Sequence, residues 1–172
     1  MARRTPARGS TLLEFTLCGI PMMFAWISIV QMAIGMWNYA TLQYAVKACG
    51  AYIAVHGASY IAAGNSAVEI ENAASILSSQ AIGIPNSGIQ VTFTAINSGG
   101  TATTHTCYLN SCLTDTTVWP PSGYNAVGDD LEVKANYVWN SALAMVAPGP
   151  GAGPVNFGSF NLPGYTHQFI IF

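Results

Sequence analysis

The period of the apolar positions divides the chain into two parts. Residues 15–46 carry no charge, and residues 15–36 are almost wholly apolar. As a helix those 22 residues would span about 33 Å, enough to cross a hydrocarbon core about 30 Å thick. Met36-Trp37-Asn38-Tyr39 then has the aromatic, half-polar composition of a membrane boundary. Beyond it, residues 41–63 are rich in Ala and lack Pro, and Ala45, Ala48, Ala51 and Val55 recur at helical steps. The helix is therefore expected to continue to residue 63. Gly19, Pro21, Gly35, Gly50 and Gly57 are its weak points. Pro21 has no amide hydrogen to donate, which membrane helices tolerate where neighbours compensate.

Gly64-Asn65-Ser66 reads as a break followed by a cap, with Ser66 and Glu69 spaced as a capping box. Ile70, Ala73, Ala74, Leu77 and Ala81 then form one apolar stripe, ending at Gly83 and Pro85. This predicts an amphipathic helix laid against a sheet. From Gly88 the period changes to two. Ile89, Val91, Phe93 and Ala95 alternate with Gln90, Thr92 and Thr94, the pattern of a half-buried strand. Ser98-Gly99-Gly100 is a turn, and residues 101–109 a partner strand. Leu131, Val133, Ala135, Tyr137 and Trp139 alternate with Glu132, Lys134, Asn136 and Asn140 as another strand. Residues 148–154, all Pro, Gly and Ala, predict an exposed loop, and residues 165–172 a closing strand. No internal repeat is present. The expected class is α+β, a long N-terminal transmembrane helix extending into a small antiparallel β-sheet domain. Its parts are a leader (1–9), a membrane-spanning and protruding helix (10–63) and an extracytoplasmic head (64–172).

Charge sharpens this layout. Only 7 % of the 172 residues are charged, against about a quarter in soluble domains. That suits a chain packed against lipid and sister subunits. Arg3, Arg4 and Arg8 precede Gly9, leaving Lys47 and Lys134 against all seven acids. Loss of residues 1–9 would take the net charge from −2 to −5. No basic patch remains for a nucleic-acid backbone, which argues against nucleic-acid binding. The leading arginines place the N-terminus in the cytoplasm and residues beyond about 40 outside. A secretory signal peptide would be shorter and end at a small-x-small site, and Gly35-Met36-Trp37 is a poor one. Lipoprotein anchoring at Cys18 is disfavoured by bulky Leu17. An unprocessed signal anchor is the plain alternative.

A single acid interrupts the approach to the apolar run, in Gly9-Ser10-Thr11-Leu12-Leu13-Glu14-Phe15. A charge at the bilayer centre costs about 2.5–3.5 kcal/mol on insertion scales, so Glu14 calls for a reason. A cut after Gly9 would make Glu14 the fifth residue and create an ammonium on Ser10, four positions away. The spacing resembles a type IV prepilin processing site. Glu14 would pair with the amine of its own chain or of a neighbour, and the second pairing would set the axial register of a filament. The bland reading is an acid that snorkels at the headgroup boundary.

Glu14-Phe15, Pro21 and Ala48-Cys49-Gly50-Ala51-Tyr52-Ile53-Ala54 together resemble the TadE-like minor pilins of the Flp (tight adherence) type IV pilus system. Gly128-Asp129-Asp130-Leu131-Glu132-Val133 is also similar to that family. The resemblance spans residues 8–57 and is looser beyond. Family members usually carry Arg where this chain has Tyr52, so no role of that Arg carries over. The resemblance implies a pilin-like fold and cleavage at Gly9-Ser10 by a prepilin peptidase. It places Glu14 and Phe15 in assembly with other pilin subunits, in or at the base of a pilus for adhesion or secretion. It also implies a bacterial inner-membrane location with the head periplasmic or extracellular. The family's major pilin is much shorter, which makes this chain similar to a minor subunit. No cofactor, no metal and no enzymatic activity are expected.

Cys107 and Cys112 lie on the oxidising side and are expected to form a disulfide. A metal site of His105 with both thiols lacks a fourth ligand of recognisable spacing. Cys18 is read as a small apolar residue in the membrane, and Cys49 as either free or bridged between subunits. His56, His105 and His167 are scattered, and no Gly-x-Ser-x-Gly signature accompanies them. Trp119, Tyr124, Tyr137 and Trp139 either pack the sheet or form a binding face. The alternative function is an unprocessed membrane-anchored extracytoplasmic binding module.

Overall fold

A computed structural model describes residues 10–141 and 159–171 of the chain. The leader and the Pro/Gly-rich stretch 148–154 lie outside the described residues. The fold is α+β, a long apolar N-terminal helix followed by a four-stranded antiparallel sheet. Helix α1 (Ser10–Ala54) has 45 residues, about 67 Å of length. It runs unbroken through Pro21 and through Gly19, Gly35 and Gly50.

The helix stops at Ala54, not at residue 63, and a separate short helix α2 (Ala58–Ala62) follows. Competition for hydrogen bonds explains the early end. The amide of Ala58, which helix continuation would give to Ala54, donates to the Asn125 carbonyl at 2.8 Å, and the Ala54 carbonyl accepts from Ile171 at 3.0 Å. Both groups thus find partners far away in sequence.

Helix α3 (Ile70–Gln80) also departs from expectation at its start. It begins at Ile70; Ser66 is exposed, and Glu69 occupies the cap position with no side-chain cap bond. The first-turn amides are satisfied instead by a neighbouring backbone. Ile70 donates to the Thr117 carbonyl and Glu71 to the Asp115 carbonyl, both at 2.9 Å. Trp119 returns a bond to the Val68 carbonyl at 2.8 Å, and Glu69 and Val118 form an isolated bridge. The predicted stripe is real: Ile70, Ala73, Ala74, Leu77 and Ala81 are all buried. Its main neighbour is α1, beside which it packs in the common core, more than the sheet itself.

The sheet contains β1 (Ile89–Ile96), β2 (Ala102–Tyr108), β3 (Asp130–Asn140) and β4 (Ser159–Phe169), in the order β2-β1-β3-β4. A one-turn helix α4 (Leu109–Cys112) follows β2. Register aligns Val91 with Ala135 and Gly164, and Phe93 with Val133 and Thr166. These rows form the core face, on which α1 lies over β3 and β4. The opposite face carries Gln90, Thr92, Glu132, Lys134, Tyr165 and His167. Helix α1 enters the core only in its second half. Leu42, Ala45, Val46, Cys49 and Ile53, at steps of three and four, are fully buried.

Candidate functional site

The first half of α1 has the opposite character. Between residues 13 and 34 no side chain is buried, and Phe15, Trp26 and Met32 are 77, 62 and 74 % exposed. The apolar positions surround the helix on all sides, the pattern of a segment that sits in lipid or among other helices. Folded monomers rarely expose apolar patches beyond a few hundred Å². The helix is long and apolar enough to cross a membrane. Glu14 is exposed in its second turn and is the first charged residue of α1, with none after it until Lys47. Ser10, four positions earlier, opens the helix. Beyond Glu14, Gly19 leaves a shallow apolar groove bounded by Phe15, Ile20, Met23 and Trp26. Gly9 lies outside the described residues.

The second half of α1 is the docking seam for the head, and it contains Ala48-Cys49-Gly50-Ala51-Tyr52-Ile53-Ala54. Cys49, Ile53 and Ala54 are buried, and Gly50 lies directly against Thr166 of β4. Tyr52 is half-buried with its ring 4.2 Å from that of His56, which in turn lies 4.4 Å from Tyr60. His56 Nδ1 lies 2.6 Å from the Tyr52 carbonyl and donates to it. Gly128-Asp129 likewise has a structural task. Gly128 has φ +92°, and the buried Asp129 carboxylate accepts from the Ser98 amide at 3.0 Å and the Ala126 amide at 2.9 Å. It ties the β1–β2 turn to the start of β3.

Cys107 and Cys112 are bridged, with their Cα atoms 5.7 Å apart, joining β2 to α4. The bridge uses both thiols that a metal site with His105 would need. His105 Nε2 instead meets Asp115 Oδ2 at 2.9 Å. Asp115 also accepts from the Thr117 hydroxyl and amide. These bonds, Thr117's foremost, hold its carboxyl below the usual range, with His105 adding to the effect. His167 sits on β4, 3.4 Å from Asp130, so the three histidines lie on separate elements and do not converge. Cys18 is exposed on α1, whereas Cys49 is buried. Cys49 is fully buried between α1 and the sheet, and that burial pushes its thiol up to about 12.

The candidate aromatic face is not one surface. Trp119 is buried in the core 6.3 Å from Phe93, and Tyr124 and Tyr137 pack against that core. Trp139 lies apart, stacked on Phe160. On the open face, Lys134 Nζ pairs with Glu132 at 2.7 Å and the Tyr165 hydroxyl donates to Glu132 at 3.1 Å. Sequence reasoning missed the Gly50 and Gly164 seam and the Asp129 tie. The small residues at helical steps in residues 45–51 are the signal that pointed to the seam.

The structure thus separates two regions. An apolar half-helix with one acid near its end projects from the head, while the disulfide and the histidine contacts stabilise the head locally. No family model, curated protein or solved structure matches the chain.

Proposed function

We propose that this chain is a pilin-type subunit similar to the TadE-like minor pilins. Residues 15–36 of α1 hold it in the bacterial inner membrane with the head outside. A prepilin peptidase cleaves it between Gly9 and Ser10, and its apolar half-helix then packs with those of other pilin subunits in a pilus or an initiating complex. The observation that carries this reading is the contrast within α1. One half buries a continuous face, Leu42, Ala45, Val46, Cys49 and Ile53, against the head, and the other is apolar all round with Glu14 near its start.

The physical logic is economical. A helix apolar on every side is stable in lipid and equally stable among similar helices, so it can pass from membrane to filament without an aqueous stage. Glu14 costs energy in either apolar setting unless it meets a cation. The ammonium created at Ser10 by cleavage supplies one, in the same chain or in the next. A neighbour's amine would fix the axial offset between subunits.

Intact mass and N-terminal sequencing of the protein from the membranes of its host test this directly. A mature chain beginning at Ser10 supports the proposal. A chain still beginning near Met1 overturns it in favour of an anchored binding module.

A further inference from the structure

The contact of the head with α1 begins near Gly35, at the end of the apolar run 15–36. A Cβ placed on Gly35 would lie 3.4 Å from the Trp139 ring, so the end of β3 reaches the helix there. Trp139 stacks on Phe160 of β4, with ring centroids 5.9 Å apart. Both residues lie near the Asn140 and Ser159 ends of the paired strands. Phe160 and Val138 remain 50 and 52 % exposed although the core is close by. On the other side of α1, Trp37 is 61 % exposed. Two residues along a helix turn by about 200°, which puts Trp37 opposite Gly35 at nearly the same height.

The height has a meaning if residues 15–36 span the bilayer, the reading on which this inference rests. Twenty steps from Phe15 to Gly35 rise about 30 Å, the thickness of the hydrocarbon core. Gly35 therefore stands at its outer boundary. Tryptophan is favoured in the headgroup layer, where its apolar ring and polar N–H are both accommodated. The other end of the sheet, at Asn97-Ser98-Gly99, is polar and exposed or half-exposed.

We infer that the Trp139–Phe160 end of the β3–β4 hairpin is seated in the phospholipid headgroup layer of the outer leaflet. Trp37 completes an aromatic collar around α1 on the opposite side. The head then rests on the membrane at a fixed depth before assembly, and incorporation into a filament has to lift it off.

The test uses the full chain in phospholipid nanodiscs with one accessible thiol at a time. Cys49 is buried and Cys107 is bridged to Cys112, so Cys18 is the native thiol to label. Cys18→Ser combined with Val138→Cys or with Ser98→Cys moves the label to either end of the head. An NBD fluorophore on each is quenched by lipids bearing a nitroxide on the headgroup or at acyl carbon 5. Headgroup quenching at residue 138 is expected to exceed that at residue 98 by about threefold or more, with Cys18 quenched by the acyl nitroxide. Phe160→Ser, at a half-exposed position, should lower quenching at residue 138 by about half while Cys49 stays unreactive. If Cys18 is quenched but residues 138 and 98 do not differ, or if Phe160→Ser changes nothing, the inference fails and the membrane span stands. If Cys18 itself escapes quenching, the span fails and takes the inference with it.

Discussion

Gly50 of α1 and Thr166 of β4 are in contact so close that no side chain fits between them. A Cβ at residue 50 would stand 2.6 Å from Thr166 Cγ2. Two residues away on β4 the relationship is reversed. A Cβ at Gly164 would lie 2.9 Å from Val46 Cγ2 and 3.5 Å from the Leu42 carbonyl oxygen. One glycine on each element lets the helix backbone and the strand backbone approach, and the buried residues Leu42, Val46 and Val133 close around the seam.

Gly50→Val is therefore expected to destabilise the head by about 1–3 kcal/mol, the usual cost of overpacking. Adding Thr166→Ser, which deletes the offending methyl, should recover part of that loss. Denaturant unfolding of the four members of the cycle in detergent measures the coupling. Strict additivity would mean that the contact does not limit the approach.

Reduction of the Cys107–Cys112 bridge, or its replacement by Cys107→Ser with Cys112→Ala, should cost about 2 kcal/mol because the closed loop is short. The comparison is between oxidised and reduced protein in the same unfolding assay. A loss well above that would show that the bridge also holds α4 in place.

Replacing Gly9 by a bulky residue is expected to block cleavage, leaving a precursor of higher mass. Glu14→Ala should leave the cleaved mass unchanged and reduce recovery of the subunit in sheared pili. Normal assembly of Glu14→Ala in its host would remove the register role from Glu14.

The Asp115 carboxyl is held below its ordinary range by the Thr117 hydroxyl and amide, helped by His105. A folded value below the unfolded one adds stability above the usual carboxylate range, and that stability is lost as the pH falls through the folded value. Asp115→Asn should thus lower stability by up to about 1 kcal/mol at neutral pH, discounted for exposure. The gap to the parent should narrow below about pH 4. Equal gaps at both pH values would assign the effect to packing.

Thiol counting checks the assignment of the cysteines. A membrane-permeant maleimide should add one label to the native chain at Cys18, a second on unfolding as Cys49 is exposed, and two more after reduction. The high folded value of the Cys49 thiol, about 12, reinforces its protection. Rapid native labelling of Cys49 would mean that the seam between α1 and β4 opens.

Much of this was legible in the chain because it depends on local periodicity. The uncharged run after Glu14, the stripe of Ile70, Ala73, Ala74, Leu77 and Ala81, and the alternation through Phe93 and Val133 each specify an element and the face it buries. The close pairing of Cys107 and Cys112 followed from their spacing and the oxidising side assigned to them. The ends of the helices were not legible in the same way. Residues 55–63 have helical composition, and Ser66 with Glu69 has the form of a cap, yet both expectations failed. In each case a backbone group found a distant partner: Ala58 at Asn125, Ala54 at Ile171, Ile70 at Thr117. Local propensity is worth a few tenths of a kcal/mol per residue, less than a buried hydrogen bond left unmade.

The sequence by itself determined an apolar helix able to cross a membrane, a small antiparallel head, a short disulfide loop and a lone acid near the helix start. The tertiary structure alone decided where α1 leaves lipid-compatible exposure and enters the core, that Gly50 and Gly164 face each other's elements, and that Trp139 reaches Gly35. These are contacts between positions more than a hundred residues apart. They arise from how the faces pack together, which no local pattern encodes.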